Sequence, residues 1–169
     1  MRRLLLTMLP LVLVLATATP VAAGDRFVID GLRVTPQVGN YGRIEIGSCV
    51  YEPETETTSG DCKFKTFTLT NIGTEPILMA GIGGTSHPVP FNDVSFVNDI
   101  SKWGPDECTR LPQVQVGEDN YWSLVPGDSC TYSLAMQPLV EGRVEGTLRA
   151  WNFDQFDPIL VIPLTGIGA

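Results

Sequence analysis

Helical periodicity is what this chain of 169 residues most conspicuously lacks. Apolar residues nowhere recur every three to four positions, and beyond residue 23 there is no long run of Ala, Leu, Glu or Lys. Both absences exclude a helical bundle. Histidine occurs once, too few for a histidine cluster, and no Cys-x-x-Cys is present, so a zinc site is excluded. Basic residues are scarce: 11 Lys and Arg stand against 19 Asp and Glu, a net charge of −8. An acidic chain repels phosphate backbones and anionic lipid surfaces, so no nucleic-acid partner is expected. Neither a cofactor nor a metal is expected.

What is present begins with a leader. Arg2 and Arg3 form a basic start, residues 4–15 are apolar apart from Thr7 and Pro10, and Val21-Ala22-Ala23 ends in small side chains. This order is that of a secretory signal peptide over residues 1–23, cut after Ala23. The apolar run is shorter than the ~20 residues a bilayer crossing needs. With no second such run, no membrane insertion is expected after cleavage. Cutting there leaves residues 24–169 as a single domain. Because Arg2 and Arg3 leave with the leader and no acid does, the net charge falls from −8 to −10.

All four cysteines, Cys49, Cys62, Cys108 and Cys130, lie in the mature part. An even count in an exported chain reads as two disulfides, although four cysteines allow three pairings. Nearest-neighbour pairing, Cys49–Cys62 and Cys108–Cys130, is the expectation, since each bridge would close a short, polar, turn-rich segment.

The strand pattern is organised around residues 67–77, Phe-Thr-Leu-Thr-Asn-Ile-Gly-Thr-Glu-Pro-Ile. Apolar and hydroxyl side chains alternate, then Gly and Pro break the chain before a new apolar run, as in a half-buried strand entering a turn. Further strands are expected at 27–35 (broken at Asp30-Gly31), 41–46, 63–71, 77–82, 94–97 and 129–136. A last hairpin of 146–151 and 159–164 surrounds residues 152–158. Residues 50–61 read as a polar loop and 83–121 as the least regular part, while Pro126-Gly127 marks a turn. Short strands separated by turns imply an all-β antiparallel sandwich.

Several segments together resemble a known family. Val34-Thr35-Pro36 followed by Asn40-Tyr41-Gly42-Arg43-Ile44-Glu45-Ile46-Gly47 is similar to the opening of bacterial ASH-type domains. These immunoglobulin-like modules, also labelled choice-of-anchor D, are related to the abnormal-spindle and Hydin repeats and to the major sperm protein fold. Residues 67–77 resemble the family's F-T-L-T-N-x-G-x-x-P-L, and Leu124-Val125-Pro126-Gly127-Asp128-Ser129-Cys130 its L-x-P-G-x-S-C. Met136-Gln137-Pro138 with Gly142, then Gly146-Thr147-Leu148 and Pro163-Leu164-Thr165-Gly166-Ile167-Gly168, are similar to its closing segments. The resemblance implies an immunoglobulin-like sandwich of seven or eight strands and supports Cys108–Cys130. It also implies binding or scaffolding rather than a reaction. Two segments depart from the family pattern, residues 49–62 and the stretch between Cys108 and Leu124. A specific role would be added there, because loops carry function on a rigid frame.

No residue set clearly performs chemistry. His87, Asp106 and Ser129 have the chain order of a trypsin-like triad. The chain is too short for paired barrels, however, and Cys130 stands where the oxyanion turn needs Gly. No catalytic residue is therefore expected. The candidate contact residues are Trp103, Tyr121, Trp122, Phe153, Asp154 and Phe156, where aromatic rings adjoin carboxylates or the second departure. Trp151 reads as the end of a core strand or, if the partner is a carbohydrate, as one of the stacking rings. The expected partner is another protein, met through sandwich loops or an exposed strand edge, or a cell-surface polymer stacked on the aromatic rings.

Overall fold

The alternating stretch at 67–77 supplies the end of an inner strand of one sheet, the turn after it and the first residue of the next strand. The computed structural model describes residues 26–52, 54–55, 57–87, 96–97, 107–152 and 158–169. The leader at 1–23, Trp103, Asp106, Phe153, Asp154 and Phe156 lie outside the described residues.

One sheet runs β1 (Phe27–Val28), β14 (Pro158–Gly168), β13 (Gly142–Trp151), β8 (Gly81–His87). Within it β3 (Gly39–Ile44) also pairs with β14, in parallel. The other runs β2 (Leu32–Thr35), β6 (Phe64–Asn71), β12 (Ser129–Met136), β9 (Phe96–Val97). A smaller sheet has the order β10 (Gln113–Val116), β11 (Asp119–Leu124), β7 (Ile77–Met79), and β4 (Cys49–Glu52) pairs with β5 (Thr57–Gly60). The one helical element among the described residues is a single 3₁₀ turn, Cys108–Arg110.

The period of two decides which side chains go inside. In β2, Leu32 and Val34 are buried while Arg33 and Thr35 are exposed; in β6, Phe67, Leu69 and Asn71 are buried. They share one core with Leu134 and Met136 of β12 and with Leu148, Leu160, Ile162 and Leu164 of the facing sheet. Removing apolar surface from water, at ~25 cal/mol per Å², is what holds the two layers together. On the outer face of β6 and β12 the hydroxyls pair across strands, Thr66 with Ser133 at 2.7 Å and Thr70 with Ser129 at 2.8 Å. The fold is thus an all-β, immunoglobulin-like sandwich.

Its strands are cut into more pieces than the seven or eight expected, because the chain twice changes sheets. β1 pairs with β14, but after Asp30-Gly31 the chain continues as β2 on β6. β7 pairs with β11, but after Ala80 it continues as β8 on β13. The parallel pairing of β3 with β14 also departs from a purely antiparallel arrangement. Residues 50–61, expected as a loop, contain most of the β4–β5 hairpin instead.

Asn71 ties the central turn together. Its Nδ2 donates to the carbonyls of Glu75 and Leu124, each at 2.8 Å, and its Oδ1 accepts the Gly73 N–H at 2.9 Å. Its backbone N–H donates to the Asp128 carbonyl at 3.0 Å, and its carbonyl accepts from Gly127 N–H at 2.9 Å. The asparagine of the Asn-Ile-Gly-Thr-Glu-Pro corner therefore joins that corner to the Pro126-Gly127 turn.

Candidate interaction site

Both expected disulfides are present. Cys49–Cys62 spans 13 positions with Cα atoms 4.6 Å apart, and Cys108–Cys130 spans 22 with Cα atoms 4.9 Å apart. Each closes a segment that carries a β-hairpin. The second is the more exposed. Every residue from 112 to 120 is exposed, so the β10–β11 hairpin stands out from the sandwich above the buried Cys108–Cys130 bridge.

The sequence explains this hairpin locally. Gln113-Val114-Gln115-Val116 is extended and β-branched at every second position. Gly117, with φ of +66°, and Glu118 form the two-residue connection to Asp119. Gly at the first loop position takes the positive φ that a tight hairpin turn requires. β11 then returns towards the core through Tyr121, Trp122, Ser123 and Leu124, and pairs with β7.

β10 forms an edge. Among the described residues it pairs on one side only, with β11. The register places Pro112 opposite Ser123, and the Ser123 N–H donates to the Pro112 carbonyl at 2.9 Å. Hydrogen-bonded pairs alternate along an antiparallel ladder, so Val114 with Tyr121 and Val116 with Asp119 are also bonded inwards. The N–H and C=O of Gln113 and Gln115 consequently point away from β11. The strand contains no Lys, Pro or bulge, the devices that usually protect an open edge. Val114 and Val116 are 41% and 43% exposed.

At the foot of the hairpin Glu107 bridges to Thr131 and is only 3% exposed. Its Oε2 has no hydrogen-bond partner among the described residues. Burial pushes this carboxyl up to about 7, opposed by the nearby Arg110 guanidinium.

The aromatic candidates fall differently. Tyr121 is buried at 3% exposure, and Trp122 is half-buried and packs against the core. The Tyr121 hydroxyl is held above its usual range by desolvation and by the Asp119 carboxylate, to which it is hydrogen-bonded. Tyr121 therefore has almost no surface left for stacking. Trp151 ends β13 as expected, half-buried against Gly81. On this hairpin the features left open among the described residues are the outward backbone groups of Gln113 and Gln115 and the exposed valines. An alternating Gln-Val-Gln-Val before a Gly is the signal that marks them.

Two members of the triad order fall on strands of different sheets. His87 ends β8 in one sheet, and Ser129 starts β12 in the other with its hydroxyl on Thr70. A shallow groove of about 290 Å³, lined by Asn40, Gly42, Arg143, Thr165, Gly166 and Ile167, carries no nucleophile and base in partnership. Arg143 in that groove pairs with Glu145 at 2.6 Å. No group of three or more His, Cys, Asp or Glu among the described residues could hold a metal ion. No helix among them is long and apolar enough to cross a membrane.

No protein-family model matches the chain. No curated protein matches it either. Solved structures of similar outline include WR4, a Caenorhabditis elegans member of the MSP family, at 11% identity and a TM-score of 0.38, covering 82% of this chain and 98% of that one. The Vibrio cholerae protease VesB matches at 12% identity and a TM-score of 0.36, covering 82% of this chain and 32% of that one. VesC, a secreted serine protease from Vibrio cholerae, matches at 12% identity and a TM-score of 0.34, covering 75% and 21% respectively. The chain thus spans about a third or less of either protease. Likenesses at these scores carry no argument about function.

Proposed function

We propose that the mature chain is an exported, non-catalytic binding module of the ASH type, secreted or periplasmic, and that it recognises a protein partner by adding the partner's strand to β10. The observation that carries this reading is the open β10 edge, with the backbone N–H and C=O of Gln113 and Gln115 facing outwards. In strand addition the main chain supplies affinity and alternate side chains supply selectivity. Val114 and Val116 would provide the apolar contacts and Gln113 and Gln115 the amide contacts. Export is supported by the basic–apolar–small leader and by two disulfides, which persist in oxidising compartments. The family assignment is supported by the order of the motifs from Val34 to Gly168.

Four of the other edges offer a partner less than β10 does. β1 and β9 have two residues each, and β2 carries the exposed Arg33. β8 includes Gly81, Gly83 and Gly84, which give a partner few side chains to read. A photoreactive residue in place of Gln115 tests the proposal in the producing cell, with the same residue in place of exposed Glu141 as the control. The expected result is a discrete cross-linked protein from position 115 alone. No product, or the same product from both positions, would overturn it.

A further inference from the structure

We propose that β10 pairs with β10 of a second copy of this chain, about a two-fold axis through Val114. The proposal rests on the edge-strand reading and supplies its partner.

The register follows from which backbone groups of β10 face away from β11. On each copy the outward-facing residues are Gln113 and Gln115. Two such edges brought together antiparallel satisfy both only if Gln113 of one meets Gln115 of the other. That register forms four N–H···O=C bonds, because each hydrogen-bonded pair exchanges two. A shift of two residues would set Gln115 against its own copy and Gln113 against Gly117 in the turn, whose positive φ takes it out of the ladder, or in the other direction Gln113 against its own copy and Gln115 against Leu111, which caps the 3₁₀ turn outside β10. A shift of one residue would set inward-bonded groups against outward ones.

The side chains agree with the register chosen by the backbone. Val114 meets Val114 at the axis, at a non-hydrogen-bonded pair, where side chains come closest. Val116 meets Pro112, also exposed, so one face of the junction is apolar throughout. On the other face Gln113 meets Gln115, amide against amide. Beyond the strand, exposed Glu118 lies at the turn end of each hairpin and exposed Arg110 at the other end, so antiparallel pairing brings opposite charges to each end of the junction. No like charge is brought together within the paired strands. The product is one continuous six-stranded sheet, with each copy contributing β7, β11 and β10 in that order.

The contact is short, so association is expected to be weak, as for any junction well below the ~800 Å² per partner of a standard interface. Analytical ultracentrifugation of the mature protein is expected to show its mass rising towards that of a dimer between about 10 μM and about 1 mM. Amide exchange at Gln113 and Gln115 should slow with concentration over the same range, while Val114 and Val116, bonded to β11, stay protected throughout. Val114→Lys places two ammonium groups face to face at the axis and is expected to weaken association at least about tenfold. Gln115→Pro removes an outward donor that β11 does not use and should do the same; if it fails to fold, Val114→Lys carries the test. A dimer that persists in the folded variants would overturn the proposal, as would concentration-independent exchange at Gln113 and Gln115. A chain that stays monomeric but is cross-linked from position 115 to a different protein overturns self-pairing and leaves the edge-strand reading standing. A monomer that gives no such product overturns both.

Discussion

The indole of Trp151 lies against Gly81, on the neighbouring strand at the point where the chain passes from one sheet to the other. The two residues are register partners, and the Ala80 N–H donates to the Trp151 carbonyl at 2.8 Å. A Cβ at position 81 would clash with the Cζ2, Cε2 and Nε1 atoms of the indole. The bare backbone of Gly81 is thus the surface on which the ring rests, and the ring covers a strand residue that has no side chain of its own.

Gly81→Ala should therefore displace Trp151 and cost about 1–3 kcal/mol, as overpacking does. Denaturant unfolding measures the cost, and a change in tryptophan fluorescence reports the ring. Gly83→Ala, where a Cβ meets nothing, serves as the control and should cost less.

Asn71→Ala removes three side-chain hydrogen bonds and leaves buried polar groups unpaired. A loss of roughly 2–4 kcal/mol is expected by denaturant unfolding, since each orphaned group costs about 1–3 kcal/mol. Asn71→Asp should not rescue it, because a carboxylate cannot donate to the Glu75 and Leu124 carbonyls.

Glu107 makes stability depend on pH with a definite sign. Its carboxyl is raised in the folded chain from 4.5 to about 7, so the folded state favours the protonated form. Its full contribution is present below pH 4.5 and is lost as pH rises to about 7. Glu107→Gln is neutral at every pH and should remove that decline, leaving the variant relatively more stable at pH 8 than at pH 4. Melting curves across this range measure it, and parallel pH profiles for the two proteins would contradict it.

The two disulfides should open in order. Cys108 and Cys130 are fully buried, whereas Cys62 is partly exposed, so mild reductant is expected to free Cys49 and Cys62 first. Alkylation followed by mass spectrometry reads the order. Loss of Cys108–Cys130 through the paired Cys108→Ser and Cys130→Ser change should cost about 3 kcal/mol and loosen the foot of the β10–β11 hairpin.

Much of this architecture is legible in the sequence because a period of two reports burial directly. Residues 129–136 form β12 over the range the pattern predicts, and β6 and the final hairpin appear where expected. Partner choice is less legible. Periodicity says which face of a strand is wet but not that β3 lies parallel on β14, nor that the chain changes sheets at Gly31 and Ala80. The candidate site was obscured for a related reason. β10 is exposed on both faces, so no buried stripe marks it within the Gly-, Pro- and Asp-rich stretch around it. Of the strand expected at 94–97, Phe96–Val97 is present as β9, and residues 94 and 95 lie outside the described residues. Tyr121 is buried and Trp122 is half-buried against the core, so the rings of β11 share in its packing.

Residue-resolved amide exchange on the dilute, oxidised mature domain tests the open edge most directly. Fast exchange at Gln113 and Gln115 beside slow exchange at Val114 and Val116 is the predicted result. Slow exchange at all four would mean that the chain itself already covers β10, and would contradict the account.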